Sequence, residues 1–435
     1  MYFMILLYLK KPRSTKKTID KMVPTRLRRT FQMKKSIKEQ KTVFIILLSN
    51  IFIAFLGIGL IIPVMPTFIN TMNLSGSTMG YLVAVFAISQ LIISPFAGRW
   101  VDRFGRKKMI VLGLLIFSIS ELIFGLGTHV QFFYLSRILG GISAAFIMPA
   151  VTAYVADMTT LEERSKAMGY VSAAISTGFI IGPGAGGFIS SYGIRMPFFF
   201  AAALAFLAAI SSVFILKESL PKKEREQLLS NTKELHFFKD LKKSIHPVYF
   251  IAFMIVFVLA FGLSAYETVF SLFSDHKFGF TPKDIATIIT ISSSVAVIIQ
   301  VLLFGKLVNK LGEKRVIQLC LITGAILAFV STVMSGFLAV LIVTCFIFLA
   351  FDLLRPALTT FLSKVAGNQQ GFVAGMNSTY TSLGNIFGPA LGGILFDLNI
   401  HYPFLFAGII MIVGLSLTMV WKEKTNEVSI LNEQL

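Results

Sequence analysis

Five charged side chains interrupt long apolar stretches of this 435-residue chain: Glu121, Arg137, Glu267, Asp352 and Arg355. A charge in such a stretch costs about 2.5–3.5 kcal/mol when the stretch crosses a membrane, so it is usually kept for a function. Burial and nearby cations act in opposite directions on the proton affinity of a carboxylate. Asp352 and Arg355 are three residues apart and can pair on one helix face, so Glu267 and Asp352 should differ in proton affinity. That difference suits a proton carrier.

Structural roles for the same residues remain open. Glu121 could be a static partner of Arg137, and Glu267 could serve only as a hydrogen-bonding group. Arg355 could simply neutralise Asp352, with Pro356 breaking the helix immediately after it. The two cysteines, Cys320 and Cys345, have no metal-ligand spacing, so we expect neither a metal site nor a catalytic residue.

The elements that position these residues are predicted to be transmembrane helices. The chain is 55% hydrophobic and 14% charged, with a mean hydropathy of +0.78, which excludes an ordinary soluble protein of this length. Apolar stretches of about 20 residues, long enough to cross a bilayer, recur along it. They predict an all-α integral membrane protein with twelve spans, at about 42–69, 78–98, 109–127, 130–155, 165–190, 194–217, 247–273, 284–305, 316–335, 337–363, 371–396 and 402–421.

The chain is internally duplicated. Residues 178–187 read GFIIGPGAGG and residues 384–393 read GNIFGPALGG, and a basic loop at 98–108 returns at 305–315 at nearly the same offset. Parallel repeats of about 200 residues are typical of transporters with a substrate path between the halves. We therefore predict six-helix bundles at 41–217 and 247–421, a cytoplasmic linker at 218–246 with an amphipathic stretch at 235–241, and a cytoplasmic tail at 422–435.

Residues 1–40 form a basic extension that we expect to be cytoplasmic. They contain 12 Lys or Arg residues against 2 acidic ones. They are either a solvated tail or the product of an incorrectly assigned start, because Met33 begins an ordinary lead into the first helix. We expect deletion of residues 1–32 to leave function intact.

The net charge of +19 reflects membrane topology, so no nucleic-acid partner is expected. Lys and Arg concentrate in the loops that fall on one side if the helices alternate, and Arg195, Lys277 and Lys283 are the exceptions. By the positive-inside rule both termini are cytoplasmic, and we expect the protein in the cell membrane.

The loop GRWVDRFGRKK contains the elements of a cytoplasmic latch. Gly98 and Gly105 would permit close passage of the backbone, and Asp102 could pair with Arg103 or Arg106. The alternative is a basic loop that serves topology alone. This loop resembles the signature of the major facilitator superfamily, and the resemblance extends from about residue 41 to the C-terminus. In the second half Asn309 replaces Asp102, so we expect the duplicate latch to lack its charge and to be weaker.

The segment GFIIGPGAGG also contains a formal G-x-G-x-x-G, but it lies inside an apolar helix with no preceding strand, which excludes dinucleotide binding. Its small residues would let two helices approach closely, and Pro183 would bend the helix, which predicts a pivot. The alternative is small-residue packing alone, and the two roles are compatible. It resembles the helix motif of drug:proton antiporters in that superfamily; the residues are Gly178, Gly182, Pro183, Gly186 and Gly187. Arg137, in LSRILGG, resembles the fourth-helix arginine associated with proton coupling.

Aromatic and amide side chains near these motifs could form an adaptable substrate cavity. Most of the 43 phenylalanines are expected to face lipid or to fill the packing. The candidates for substrate contact are Phe55, Gln90, Phe146, Phe179, Phe270, Phe348, Asn377 and Asn385.

Several segments together, such as GLSAYETVFSLF and FDLLRPALTTFLS, closely resemble the NorA-type quinolone and multidrug efflux branch of the superfamily. The resemblance implies a proton-coupled antiporter that exports amphipathic, often cationic drugs and dyes, with Glu267, Asp352, Arg355 and Arg137 in proton coupling. No nucleotide-binding loop is present, so a proton gradient rather than a cofactor should supply the energy. We expect a monomer that is not an enzyme. A narrow exporter of tetracycline-like drugs or metabolites, and a sensor or scaffold that transports nothing, remain alternatives.

Overall fold

The computed structural model describes residues 40–220, 244, 247–366 and 370–420. Within them the chain forms twelve long helices, one short helix and one 3-10 turn, with no strand. The short helix, Met65–Thr71, follows α1, and the 3-10 turn, Ser190–Tyr192, follows α5. The long helices are α1 (Lys41–Ile61), α2 (Gly76–Phe104), α3 (Arg106–Leu126), α4 (Val130–Met158), α5 (Leu161–Ile189), α6 (Met196–Ile215), α7 (Pro247–Phe278), α8 (Pro282–Leu311), α9 (Glu313–Val333), α10 (Phe337–Ala366), α11 (Gln370–Leu398) and α12 (Tyr402–Val420).

The helix boundaries follow local capping chemistry. Ser75 precedes α2 and accepts a hydrogen bond from the Thr78 amide, while α8 begins with a capping box formed by Thr281 and Asp284. Helix α2 turns into α3 at Gly105, whose φ of 103° is in the left-handed half of conformational space, and α8 turns into α9 at Gly312 with φ of 79°. The two halves thus use the same one-residue turn.

Eleven of these helices are long and apolar enough to cross a membrane. Helix α11 is not among them, since its sequence is rich in Gly, Ser, Thr and Asn, and its crossing stays a prediction. The predicted span 42–69 is wrong as one helix, because α1 ends at Ile61 and the short helix starts at Met65. The prediction that Pro356 breaks its helix is wrong, because α10 continues through it, and α5 likewise continues through Pro183.

The helices pack in two similar groups of six. In the first half α1 packs on α5 and α6, α2 on α4, and α3 on α4 and α6. Every one of these pairs recurs in the second half with each helix number raised by six. Between the halves α2 packs on α11, and α5 packs on α8. The bundle limits 41–217 and 247–421 stay a prediction. Residues 1–39 of the predicted extension, residues 221–243 and 245–246 of the predicted linker, and the predicted tail 422–435 lie outside the described residues.

The halves meet at one end of the bundle. A Cβ added to Gly80 would lie 2.1 Å from the Pro389 carbonyl oxygen, and one added to Gly187 would lie 2.3 Å from Cβ of Ala286 in the other half. We call this the closed end. At the opposite, open end, a Cβ added to a glycine of the same four helices would have no neighbour within 4 Å; these glycines are Gly98 of α2, Gly169 of α5, Gly305 of α8 and Gly375 of α11.

Two of the basic residues that depart from the predicted charge pattern satisfy helix ends at the closed end. The Arg195 guanidinium donates to the Gly125 carbonyl at 2.8 Å, near the end of α3. The Lys277 ammonium donates to the Thr332 carbonyl at 2.9 Å, near the end of α9. Cations are favourable beside the exposed carbonyls of a helix C-terminus, so local capping accounts for both.

Candidate functional site

A cavity of about 370 Å³ lies between the two halves. It is lined by residues of α1, α2, α4 and α5 from the first half and of α7, α8, α10 and α11 from the second. Most of the lining is aliphatic or aromatic, with a few polar and charged side chains among them. Such a surface suits a ligand that is largely apolar and carries a small number of polar or charged groups.

Both candidate proton carriers face this cavity. Glu267 of α7 and Asp352 of α10 line it, and so does Arg355. Arg355 interacts electrostatically with both carboxylates, but Asp352 and Arg355 are not among the ion pairs within 4 Å that the described residues form. The ion pair that their spacing permits is therefore not formed in this conformation, and Asp352 faces the cavity.

Pro356 acts on the site through the backbone. It lacks the amide that would bond the Asp352 carbonyl four residues earlier. Gln300 of α8 supplies the missing donor, with its side-chain amide 2.9 Å from that carbonyl oxygen. This contact ties α8 to α10 at Asp352 and satisfies the carbonyl that Pro356 leaves without a helical donor.

Arg137 and Glu121 form a buried ion pair. A guanidinium nitrogen of Arg137 lies 3.2 Å from Glu121 Oε1, and the Glu121 residue is only 1% exposed. The guanidinium carbon is 4.7 Å from the centre of the Phe124 ring, which adds a cation-π contact. Arg137 lines the cavity whereas Glu121 does not. Glu121 therefore holds a cation at the cavity wall, and the proton-coupling role of Arg137 stays a prediction.

Five of the eight candidate substrate residues line the cavity: Gln90, Phe179, Phe270, Phe348 and Asn385. The other three do not. Phe146 is 3% exposed and packs on Trp100 inside the first half, with ring centres 5.7 Å apart. Phe55 lies behind Phe179, with ring centres 5.0 Å apart, and Asn377 is nearer the start of α11. Polar residues that the sequence did not single out also line the cavity, among them Ser176, Ser264, Thr268 and Ser293.

The glycine motif of α5 packs against two different helices. Gly178, Gly182 and Gly186 pack on α1, where a Cβ on Gly186 would lie 2.1 Å from the Leu60 carbonyl oxygen. Gly187 instead faces α8 of the other half, and Pro183 lines the cavity. The second half repeats both faces, since Gly384, Gly388 and Gly392 pack on α7 and Gly393 packs on α2.

The predicted latch is an ion-pair network around Arg106. Its guanidinium lies 2.8 Å from Asp102 and 3.1 Å from Asp157 of α4. Arg103 takes no part in these pairs, and its guanidinium lies 5.4 Å from the centre of the Phe104 ring. Position 105 requires glycine because its φ is positive and because a Cβ there would clash with the Glu218 carboxylate. Gly98 has open space around it, so the predicted close passage at Gly98 is not present in this conformation.

Glu218 completes the latch, and the sequence did not reveal it. Its carboxylate accepts a hydrogen bond from the Arg106 amide at 2.8 Å, at the first turn of α3. Ser219 donates to Asp157 at 2.8 Å. The chain that leaves α6 therefore docks on the turn between α2 and α3 and satisfies the start of α3.

The prediction that the duplicate latch has lost its charge is wrong. Lys364 of α10 lies 2.5 Å from Glu313 of α9. Glu313 stands 207 residues after Arg106, and Lys364 stands 207 residues after Asp157. The repeat has kept the ion pair between equivalent helices and reversed its polarity. The sequence shows only that Asn309 replaces Asp102. The ion pair itself was missed because Lys364, its partner on α10, is remote in sequence from Glu313.

Within the described part of the chain, no group of three or more His, Cys, Asp or Glu side chains could hold a metal ion. Cys320 and Cys345 are free thiols. The cavity itself presents two carboxylates and two guanidinium groups on a largely apolar and aromatic wall.

Known proteins are similar to this chain in sequence and in fold. The chain is 86% identical over 400 residues to Multidrug resistance protein 2 of Bacillus subtilis (strain 168), covering 92% of this chain and 100% of the relative. It is 40% identical over 383 residues to Quinolone resistance protein NorA of Staphylococcus aureus (strain MRSA252), covering 88% and 97%.

A solved structure of a bacterial homologue of the human lysosomal transporter Spinster, inward-facing and unoccupied, has the same fold. Its TM-score is 0.71 at 17% identity, covering 89% of this chain and 96% of that one. The family model for the Major Facilitator Superfamily matches residues 47–277 and 252–434. The predicted fold class, with two helical halves, is thereby confirmed. The chain belongs to the Major Facilitator Superfamily.

Proposed function

We propose that this protein is a proton-coupled multidrug efflux antiporter that exports amphipathic, often cationic drugs such as fluoroquinolones by alternating access. The observation that carries the proposal is the placement of Glu267 and Asp352 on a largely apolar and aromatic cavity between two halves that meet at one end only. The names of the relatives, a multidrug resistance protein and a quinolone resistance protein, support a drug as the substrate.

The open end is assigned to the cytoplasm. The turns from α2 to α3 and from α8 to α9 lie there and carry Arg103, Arg106, Lys107, Lys108, Lys310, Lys314 and Arg315. By the positive-inside rule these turns are cytoplasmic, and with them both termini of a protein in the cell membrane. Drug then enters the cavity from the cytoplasm or the inner leaflet, and the closed end must open for release.

Coupling follows from competition for the two carboxylates. A cationic drug is favoured in the cavity when Glu267 and Asp352 are charged, and protonation from the outer side removes that attraction. Each ligand drives the cycle only through its unequal affinity for the two conformations. Arg355, near both acids, and Arg137, at the cavity wall, bias the charge balance. The energy source is the proton gradient, with no bound cofactor, and the transporting unit is a monomer.

The proposal is tested by ethidium and fluoroquinolone transport in energised inside-out vesicles, with and without an uncoupler. The parent should accumulate both compounds, and the uncoupler should abolish this. Glu267→Gln and Asp352→Asn should each lose proton-driven accumulation, whereas Asp284→Asn, a carboxylate change in the capping box of α8, should behave as the parent. Accumulation that ignores the uncoupler, or that survives both cavity substitutions, would refute proton coupling.

The substrate range is tested with a panel of drugs and dyes in cells. A multidrug transporter lowers the accumulation of several unrelated cationic compounds. Export of a single tetracycline-like drug or metabolite would replace the broad function with a narrow one. No export of any compound, with Glu267→Gln also without effect, would leave a membrane sensor or scaffold.

A further inference from the structure

The closed end is joined by a carboxylate that bonds from one half of the molecule to the other. Asp397, in the last turn of α11, accepts hydrogen bonds from the backbone amides of Gly76 at 2.8 Å and Ser77 at 2.9 Å. These amides are in the first turn of α2, where no helical partner is available to them. Ser75 satisfies the next amide, that of Thr78, from within the first half. Asp397 therefore completes the cap of a helix in the opposite half.

The position of Asp397 is unfavourable for its own helix. A negative charge in the last turn of α11 faces the negative end of that helix dipole, whereas the start of α2 presents the positive end of another. The carboxylate therefore gains the two amide hydrogen bonds and the favourable helix end of α2 only while the two halves are together. A second hydrogen bond between the halves, from Asn70 to Asp275 of α7, lies at the same end.

The equivalent junction between α5 and α8 lacks this device. The residue 206 positions before Asp397 is Ser191, which has no carboxylate. Helix α8 is capped from within the second half, because Thr281 and Asp284 bond to each other's backbone amides. The α2–α11 junction thus includes a charged group, whereas the α5–α8 junction at this end is a close packing of Gly187 against Ala286 and the Pro282 carbonyl.

We propose that Asp397 is a positioning residue of the outer gate: its carboxylate, bound to the start of α2, favours the conformation that is closed at the outer end, and the bond must break for release. The inference rests on the alternating access of the proposed function, but not on proton coupling or on the identity of the drug. Gly76 fits the same role, since a Cβ there would lie 2.9 Å from Asp397 Oδ1.

The test measures the opening of the outer end directly. Spin labels are placed at Leu126 of α3 and Leu338 of α10, which are 62% and 67% exposed near that end in opposite halves. Cys320 and Cys345 are first replaced by serine, and the resulting cysteine-free protein is checked for retained efflux before labelling. Distance distributions are then recorded in lipid nanodiscs without substrate for the parent, Asp397→Asn, Asp397→Glu and Asp284→Asn.

We expect Asp397→Asn to raise the ratio of outward-open to outward-closed protein about tenfold, because an isosteric amide accepts a weaker hydrogen bond and presents a donor to the second amide. Asp397→Glu should recover part of the closed population. Asp284→Asn, which removes a carboxylate from a helix start at the same end but within one half, should leave the distribution unchanged. A folded Asp397→Asn protein with the parent distribution, or an equal shift in Asp284→Asn, overturns the proposal.

This outcome is separable from that of the proposed function. A parent distribution in Asp397→Asn refutes the gate while proton-driven efflux remains measurable. Loss of efflux in Glu267→Gln without a change in the distances concerns coupling alone.

Discussion

Alanine substitutions at two glycines of α5 should have opposite effects on stability. Both add one methyl group within the same helix, so both gain about 1 kcal/mol of helix propensity. At Gly186 the added Cβ would lie 2.1 Å from the Leu60 carbonyl oxygen of α1, more than 1 Å inside ordinary contact distance. At Gly169 nothing lies within 4 Å. Overpacking of this kind costs about 1–3 kcal/mol, and the difference between the two variants isolates that cost.

The assay is thermal unfolding of purified protein in detergent, followed by a dye that reacts with the buried thiol of Cys320. A free-energy difference of this size should set the melting temperature of Gly186→Ala a few degrees below that of Gly169→Ala. Gly169→Ala should melt at or slightly above the parent temperature. Equal melting temperatures would show that α1 and α5 are not in the close contact described here.

Three further outcomes are expected. Arg137→Leu should destabilise the fold by about 3–5 kcal/mol because it leaves Glu121 buried without its partner, and Glu121→Gln added to it should recover part of the loss in the same thermal assay. Glu313→Lys and Lys364→Glu should each weaken the fold by about 0.2–1 kcal/mol, and the exchanged pair should restore it; double variants no better than the single ones would remove the reversed latch. Gln300→Leu should cost about 1–3 kcal/mol by leaving the Asp352 carbonyl unpaired, and an unchanged melting temperature would count against that bond.

Much of the architecture could be predicted from the sequence, because apolar stretches and an internal repeat are linear signals. The helices still begin and end outside several predicted spans. Helix α8 runs from Pro282 to Leu311 although the predicted span was 284–305, since hydrogen bonding continues through polar residues beyond the apolar core. The break after Ile61 was missed because hydropathy does not register an interruption of the helix when the residues around it stay apolar.

The candidate site was only partly predictable, because spacing does not fix which face of a helix meets the cavity. Phe179 and Phe146 each lie near a recognisable motif, yet one faces the cavity and the other fills the first half. Contacts between segments that are remote in sequence were still harder to predict from the sequence. Glu218 and Asp397 each cap a helix more than 100 residues away in sequence, and no local pattern marks such a role.

Four glycines at the open end have empty space where a side chain would lie, so stability measurements alone will not reveal the effect of substituting them. Gly98 and Gly375 lie on helices α2 and α11, and Gly169 and Gly305 lie on α5 and α8, the same two pairs that touch at the other end. In an alternating cycle the open-end halves of these helices are the surfaces that come together. A bulky side chain at one of these positions meets nothing in the resting conformation, so it would leave the melting temperature unchanged. It would nevertheless prevent the open end from closing and so block the transport cycle.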